Sequence, residues 1–265
     1  MVTTTSDRRT CGRIAPVILN IAAYQFVPID DVPALAAQLR AAAESAALRG
    51  TVLIAPEGIN LFLAGSDADV AAFMAALRGD ARFTGIVVKE SRSAAPPFAR
   101  LKVKQKREII AFRQPDASPL AGRAPTLPPA TLARWLAQGR DDAGRRVVLL
   151  DTRNRDEVAL GRFDDALCLP IDNFTNLPLA LERERDALAD ATVVSYCTGG
   201  IRCEKAALWM QAHGFENVWQ LDGGILGYFE QVGGYGYAGN CFVFDERVAL
   251  DPSLRPLHDP ATPAS

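Results

Sequence analysis

The chain has 265 residues, 49% apolar and 23% charged, with a formal net charge of -2 at pH 7. That balance fits a soluble globular protein long enough for two domains, and it excludes a globally basic nucleic-acid coat, so any basic surface must be local. Five scattered cysteines (Cys11, Cys168, Cys197, Cys203, Cys241) form no disulfide framework and fit a reducing compartment.

No cysteine pair has zinc-site spacing, and His213 and His258 stand alone, so no metal is expected. The N-terminal MVTTTSDRRTCGRIAP lacks the apolar run of a secretory signal. IAPVILNIAAYQFVPI is too short, and too interrupted by Asn20 and two prolines, to span a bilayer. The expectation is a cytoplasmic protein with no membrane partner.

VILNIAAYQFV (17–27) reads as a strand closed by Pro28. DDVPALAAQLRAAAESAAL places Leu35, Leu39 and Ala43 at helical spacing, with Asp30 or Asp31 as cap and Gly50 as stop. TVLIAP and INLFLAG read as two strands about a turn at Pro56–Gly58. Ser66 should cap a second helix carrying Val70, Phe73, Met74 and Leu77 on one face, and FTGIVVKES supplies a fourth strand. The order β-α-β-β-α-β is that of a ferredoxin-like α+β domain, placed at 14–113, with ARLKVKQKREIIAF extending its sheet.

QPDASPLAGRAPTLPP, rich in proline and small residues, reads as a linker over 114–129. Beyond it, at 130–235, continuous apolar strands (RVVLLDTR, TVVSYC, NVWQLDGG) alternate with helical stretches. This is the pattern of an α/β domain with a parallel sheet covered on both faces. Residues 236–265 are expected to hold one strand, CFVFDERVAL, and a flexible tail.

YCTGGIRC puts Cys197 at the carboxyl end of a central strand, where open α/β sheets bind ligands. Thr198, Gly199, Gly200 and Ile201 then turn the chain into a helix starting near Arg202. Glycines let successive N–H groups point inward, and the helix N-terminus adds partial positive charge. The Cys197 thiolate is an anion at the centre of that cradle, so its pKa should be depressed and its nucleophilicity available near neutral pH. Arg202 either supports that charge or grips a substrate anion. Cys203, one turn into the helix, is either a core or a resolving thiol; Cys11, Cys168 and Cys241 read as structural.

Residues 147–228 resemble a rhodanese domain. VVLLDTRNRDEVALGRF is similar to its entry motif, with Asp151, Arg153 and the helix residue Glu157, although Arg162 stands where histidine is common after the glycine. YCTGGIRC is similar to its active-site loop and VWQLDGGILGY to its closing motif. Six residues run from Cys197 through Arg202, the rhodanese loop size; the related phosphatases use one more. APEGIN at 55–60, LKVKQKREI, YCTGGIRCEKA and FVFDER together, over roughly residues 17–250, resemble the rhodanese-containing tRNA uridine-34 hydroxylases. The resemblance implies conversion of wobble uridine in tRNA to 5-hydroxyuridine with molecular oxygen as co-substrate. It also implies Cys197 as the essential catalytic residue and no metal or organic cofactor.

Between Lys89 and Arg113, eight basic side chains face two acidic ones. On a strand Lys102, Lys104 and Lys106 share one face, a ridge with rungs roughly 7 Å apart that matches phosphate spacing, with Arg107 adjoining. Such a ridge either discourages edge pairing or binds RNA phosphates; the resemblance favours the anticodon region of tRNA. Phe174 and Tyr228 are candidates to stack an extruded base. Because C6 of uracil is electrophilic, the Cys197 thiolate is placed to add there and leave C5 electron-rich. The alternative is a sulfurtransferase, with a persulfide carried on Cys197; it leaves the lysine ridge and the first domain without a use.

Overall fold

The computed structural model describes residues 17–258. β1 (Ile18–Phe26) leads to α1 (Val32–Ser45), the hairpin β2 (Arg49–Ala55) and β3 (Gly58–Gly65), α2 (Asp67–Arg78), and β4 (Val88–Ser93). β5 (Leu101–Gln105) then pairs parallel to β2, giving the order β4-β1-β3-β2-β5. The expected α+β sandwich with an added edge strand is present. Strand alternation points Ile21, Ala23, Val52, Ile54, Leu61 and Leu63 at Leu35 and Leu39 of α1 and Phe73 and Leu77 of α2. Each leucine so buried stabilises the fold by about 1.5–3 kcal/mol.

Ser66 caps α2 as expected, its Oγ accepting the Asp69 N–H at 3.2 Å. α1 differs at both ends. Asp31 precedes it, but its side chain caps nothing and pairs instead with Arg82. The helix ends at Ser45 and turns through Ala47 at φ +49°, not at Gly50. Gly50 lies inside β2 at φ +133°, where a Cβ would sit 2.0 Å from the Phe62 carbonyl oxygen. The strand crossing, not the helix stop, requires that glycine.

The second unit runs β6 (Thr126–Leu127), α3 (Pro129–Gln138), β7 (Val147–Asp151), α4 (Arg155–Val158), β8 (Gly161–Phe163) and β9 (Leu167–Cys168). It continues through α5 (Leu177–Arg183), α6 (Arg185–Leu188), β10 (Thr192–Tyr196), α7 (Ile201–Ala212), β11 (Val218–Leu221) and α8 (Gly224–Gln231). The parallel sheet has the order β6-β11-β10-β7-β9. Leu132, Trp135, Ile225 and Phe229 of α3 and α8 cover one face, and Leu177, Leu188, Ala206 and Met210 of α5, α6 and α7 the other. The doubly covered sheet is the one its continuous apolar strands predict.

Two expectations need correction. The segment 114–129 is not a free spacer: Ala117 and Ala124 are buried with Phe112 in the second core, and Thr126–Leu127 pair with β11 as an edge strand. Prolines flank that strand where no ladder N–H is needed, so a composition typical of linkers also fits a packed edge. The C-terminal segment is not one strand. β12 (Tyr237–Gly239) pairs with β8, and β13 (Cys241–Phe242) with β14 (Ala249–Leu250) makes a separate hairpin. The start of the expected flexible tail folds back in a Leu250–Pro256 bridge; its last residues, and Cys11, lie outside the described residues. No helix among the described residues is long and apolar enough to cross a membrane.

Candidate active site

Cys197 is the first residue beyond β10, and the loop after it is braced from the far side. The N–H groups of Ile225 and Leu226, opening α8, donate to the Cys197 and Thr198 carbonyls at 2.9 and 3.0 Å. The Gly200 N–H donates to Cys197 Sγ at 3.1 Å. Gly200 has φ +102°, and a Cβ there would meet the Tyr24 hydroxyl at 2.9 Å. The glycine is therefore required by its backbone and by a side chain of the first domain.

The thiol of Cys197 is wholly buried, which opposes ionisation. A hydrogen bond from Cys203, the Arg202 charge and the N–H groups of Arg202 and Gly200 outweigh that cost and lower its pKa to about 5. Cys203 is displaced the other way, by its own burial and by the neighbouring Cys197. The negative charge thus resides on Cys197. Cys203 is fully buried with Thr152 Oγ1 3.7 Å away, and its thiol is hydrogen-bonded to Cys197. Burial pushes the Cys241 thiol up to about 12, and raises half-buried Cys168 as well.

Arg202 has its two terminal nitrogens on the Glu157 carboxylate, both at 2.7 Å, and both side chains are buried. That fork fixes the guanidinium beside the thiol, where its charge lowers the Cys197 pKa, and Arg202 also borders the cavity. Asp151 and Arg153 form a second pair at 2.7 Å, wholly buried, with Arg153 also donating to the Gly161 carbonyl at 2.7 Å. They tie β7 to β8 beneath the loop and do not line the cavity above it. Arg162, beside them on β8, is exposed.

Above Cys197 lies a cavity of about 1190 Å³, closed by the sheet face that α1 and α2 leave uncovered. Tyr24, Asn60, Phe62, Lys89, Lys104 and Lys106 line it from the first domain, and the Cys197–Arg202 loop from the second. Register explains the grouping: Lys104 pairs with Leu53, Leu53 with Asn60, and Asn60 with Tyr24, one row across four strands. Lys102 begins the next row and faces an adjoining groove with Arg100 and Phe98, while Arg107 borders neither space. Arg113 and Arg123 also reach the cavity, Arg123 lying 3.6 Å from Glu204. Arg123 went unread because its segment reads as a linker. Phe174 lines the cavity but is stacked on Phe112 at 4.5 Å; Tyr228 is buried against Phe163 and does not reach it. The exposed aromatic at the cavity is Phe244. Among the described residues no three His, Cys, Asp or Glu side chains group as a metal set.

The motifs that sequence reading singles out meet at the seam between the domains. Lys205 of α7, 3% exposed, reaches Glu57 of APEGIN at 2.9 Å and Glu108 beyond β5 at 2.7 Å. Tyr24 donates to Glu204 at 3.2 Å, and Arg247 donates to Ser91 at 2.6 Å. Burial raises the pKa of Glu204 and holds the Tyr24 hydroxyl neutral.

Residues 18–109 match the family described as UPF0176 acylphosphatase like domain, and residues 132–231 match the Rhodanese-like domain. Fold and site thus define a two-domain protein in which an acylphosphatase-like sheet closes over a rhodanese-like cysteine loop. Proteins named tRNA uridine(34) hydroxylase cover nearly the whole chain. That of Xanthomonas euvesicatoria pv. vesicatoria (strain 85-10) is 67% identical over 92% of this chain and 98% of its own. That of Xanthomonas oryzae pv. oryzae (strain PXO99A) is 66% identical over 94% and 98%, and that of Xylella fastidiosa (strain 9a5c) 61% identical over 94% and 97%. The chain belongs to the tRNA uridine(34) hydroxylase family.

Proposed function

We propose that this protein hydroxylates C5 of uridine-34 in tRNA, with Cys197 as the catalytic thiolate and the anticodon loop entering the cavity between the domains. The observation that carries the reading is that one cavity holds a cradled thiolate on one wall and Lys104 and Lys106 on the other. A sulfur-transfer site needs only the first wall, whereas an extended anionic substrate uses both. In this reading the Cys197 sulfur bonds to C6, and the C5=C6 electron pair moves into the O4 enolate, which the loop N–H groups and the Arg202 field favour.

Molecular oxygen then supplies the C5 oxygen as a hydroperoxide. Two equivalents of an external thiol reduce the hydroperoxide, becoming a disulfide as the distal oxygen leaves as water. Loss of the C5 proton then expels the Cys197 thiolate and restores the ring. Resident metal or organic cofactor has no part in this scheme, and the reaction belongs in the cytoplasm with its tRNA. Nucleoside mass spectrometry of tRNA from cells lacking the protein tests it. Loss of 5-hydroxyuridine, restored by wild type and not by Cys197→Ser, is the expected result. Persistence of the nucleoside without any second pathway would leave the persulfide chemistry of a sulfurtransferase as the reading.

A further inference from the structure

Phe244 is 52% exposed, at the turn between β13 and β14, an unusual place to leave a large aromatic ring. The turn that carries it is firmly held. Asp245 and Arg247 form a buried ion pair at 2.6 Å, Arg247 donates to Ser91 Oγ on β4 at 2.6 Å, and the Glu246 N–H donates to the Pro97 carbonyl at 3.2 Å. Val248 in the same turn has φ +66°, a conformation that costs a β-branched residue about 1–3 kcal/mol and persists only where surrounding contacts impose it. The ring's own supports are Phe62, tilted at 6.2 Å, and Phe242, edge-on at 5.0 Å. Arg202 lies 5.8 Å from its centre.

Its position gives this ring a use. Phe244 borders both the Cys197 cavity and the adjoining groove of about 500 Å³ that Lys102, Arg100 and Phe98 line. In that groove Asp245 is neutralised by Arg247, leaving Glu246 against two basic side chains. A polyanion with flat rings fits this sequence of features: a π-face at the threshold and cations beyond it. A uridine that enters the cavity must leave the stack of its neighbours, and that unstacking costs a few kcal/mol. An aromatic platform beside the entrance restores one stacking contact and offsets the cost.

We infer that Phe244 is the platform of a second subsite, on which the base next to the target uridine stacks while Lys102 meets the phosphate beyond it. This rests on the uridine-34 reading above. The test compares wild type, Phe244→Ala, Phe244→Leu and Phe244→Trp on an anticodon stem–loop RNA. The RNA carries uridine-34 and, in turn, an abasic site at position 33 or 35. Phe244→Ala and Phe244→Leu are expected to raise KM about tenfold, as loss of a stacked base does, with kcat changed far less. Phe244→Trp should stay near wild type, which separates a π-face from mere apolar packing.

An abasic site at the stacked neighbour should raise the wild-type KM equally and add nothing to Phe244→Ala; the position where additivity fails identifies the base. Full additivity at both positions, or an unchanged KM for Phe244→Ala, overturns the subsite. Because the ring is half exposed, the alanine variant is expected to fold, and equal iodoacetamide reactivity of Cys197 checks this. If wild type leaves uridine-34 unmodified, the uridine-34 reading falls and takes the subsite with it. If wild type is active, failure falls on Phe244 alone.

Discussion

A thiolate buried out of water is held at Cys197 by two N–H groups, a neighbouring thiol and one guanidinium, against the cost of its own burial. Since its pKa is lowered, the ionised form is present above about 5 and lost as pH falls through that value. Alkylation of Cys197 by iodoacetamide, followed by peptide mass spectrometry, should therefore be nearly constant from pH 6 to 8 and decline towards pH 4. A rate that climbs tenfold per pH unit between 6 and 8 would show an ordinary thiol instead. Arg202 and Glu157 must be judged together. Removing either leaves a buried charge unpaired, a cost of about 3–5 kcal/mol, whereas replacing both with neutral side chains of similar size costs much less. Glu157→Gln with Arg202→Met should thus unfold in urea closer to wild type than Arg202→Met alone. With the guanidinium gone, its alkylation midpoint should also move to higher pH. The cysteine and its glycines were legible in the sequence because a strand, a Cys-x-Gly-Gly turn and a helix allow few other uses. That Glu157 captures Arg202 was not, because the two lie 45 positions apart and meet only in the fold.

At the scale of elements, periodicity carried the strand and helix order of the first domain and the central strands of the second, since each core face repeats with its own spacing, but it missed β6, β8 and α8. What it could not carry was the partner of each uncovered face. The proline-rich stretch shows the limit: composition alone marks it as a spacer, yet Ala124 is buried and the next two residues extend the second sheet. The lysine strand shows another. Alternation put Lys102, Lys104 and Lys106 on one face, but pairing with β2 decides that two of them look into the cavity and one into the groove. One element that joins the domains is α7, through Lys205. Its ammonium is buried between Glu57 and Glu108, and Glu57 also accepts the Ile109 N–H at 2.8 Å. Lys205→Met leaves two carboxylates of the first domain side by side at the seam without their cation, and is expected to cost about 3 kcal/mol in urea unfolding. Proteolysis should then open the stretch from Lys106 to Arg123 first, since that stretch crosses the seam. Glu108 adds an acid dependence. Its burial opposes ionisation, but the Lys205 charge and two backbone N–H groups lower its pKa, so its contribution is present at neutral pH and lost as pH falls below the ordinary carboxylate range. A Lys205→Met variant as stable as wild type would mean the seam is held by its other contacts, Tyr24–Glu204 and Arg247–Ser91 among them.

For the whole molecule, the two domains matter as walls of one space rather than as separate modules. Neither wall makes the cavity alone: the cysteine loop lacks a cover, and the sheet face with Lys104 and Lys106 lacks a nucleophile. The slight net negative charge of the chain means that long-range attraction of RNA is weak overall, so binding must come from cations gathered at this opening. That makes the salt response diagnostic. Each phosphate neutralised on a single strand contributes about 0.7 to the slope of log affinity against log salt. Lys104→Gln with Lys106→Gln should weaken anticodon stem–loop binding at moderate salt and flatten that slope by about 0.7 for each phosphate released. Arg107→Gln, outside the cavity and the groove, should change both far less. Titrations of fluorescent stem–loop from 50 to 300 mM salt separate the cases, with the iodoacetamide rate of Cys197 as a check that the thiolate is intact. Should the double variant keep the wild-type slope, the lysine wall meets no phosphate. The positive charge opposite Cys197 would then serve the pyrimidine enolate or a small sulfur-bearing anion, and the route of the RNA would lie along Lys102 and Arg100.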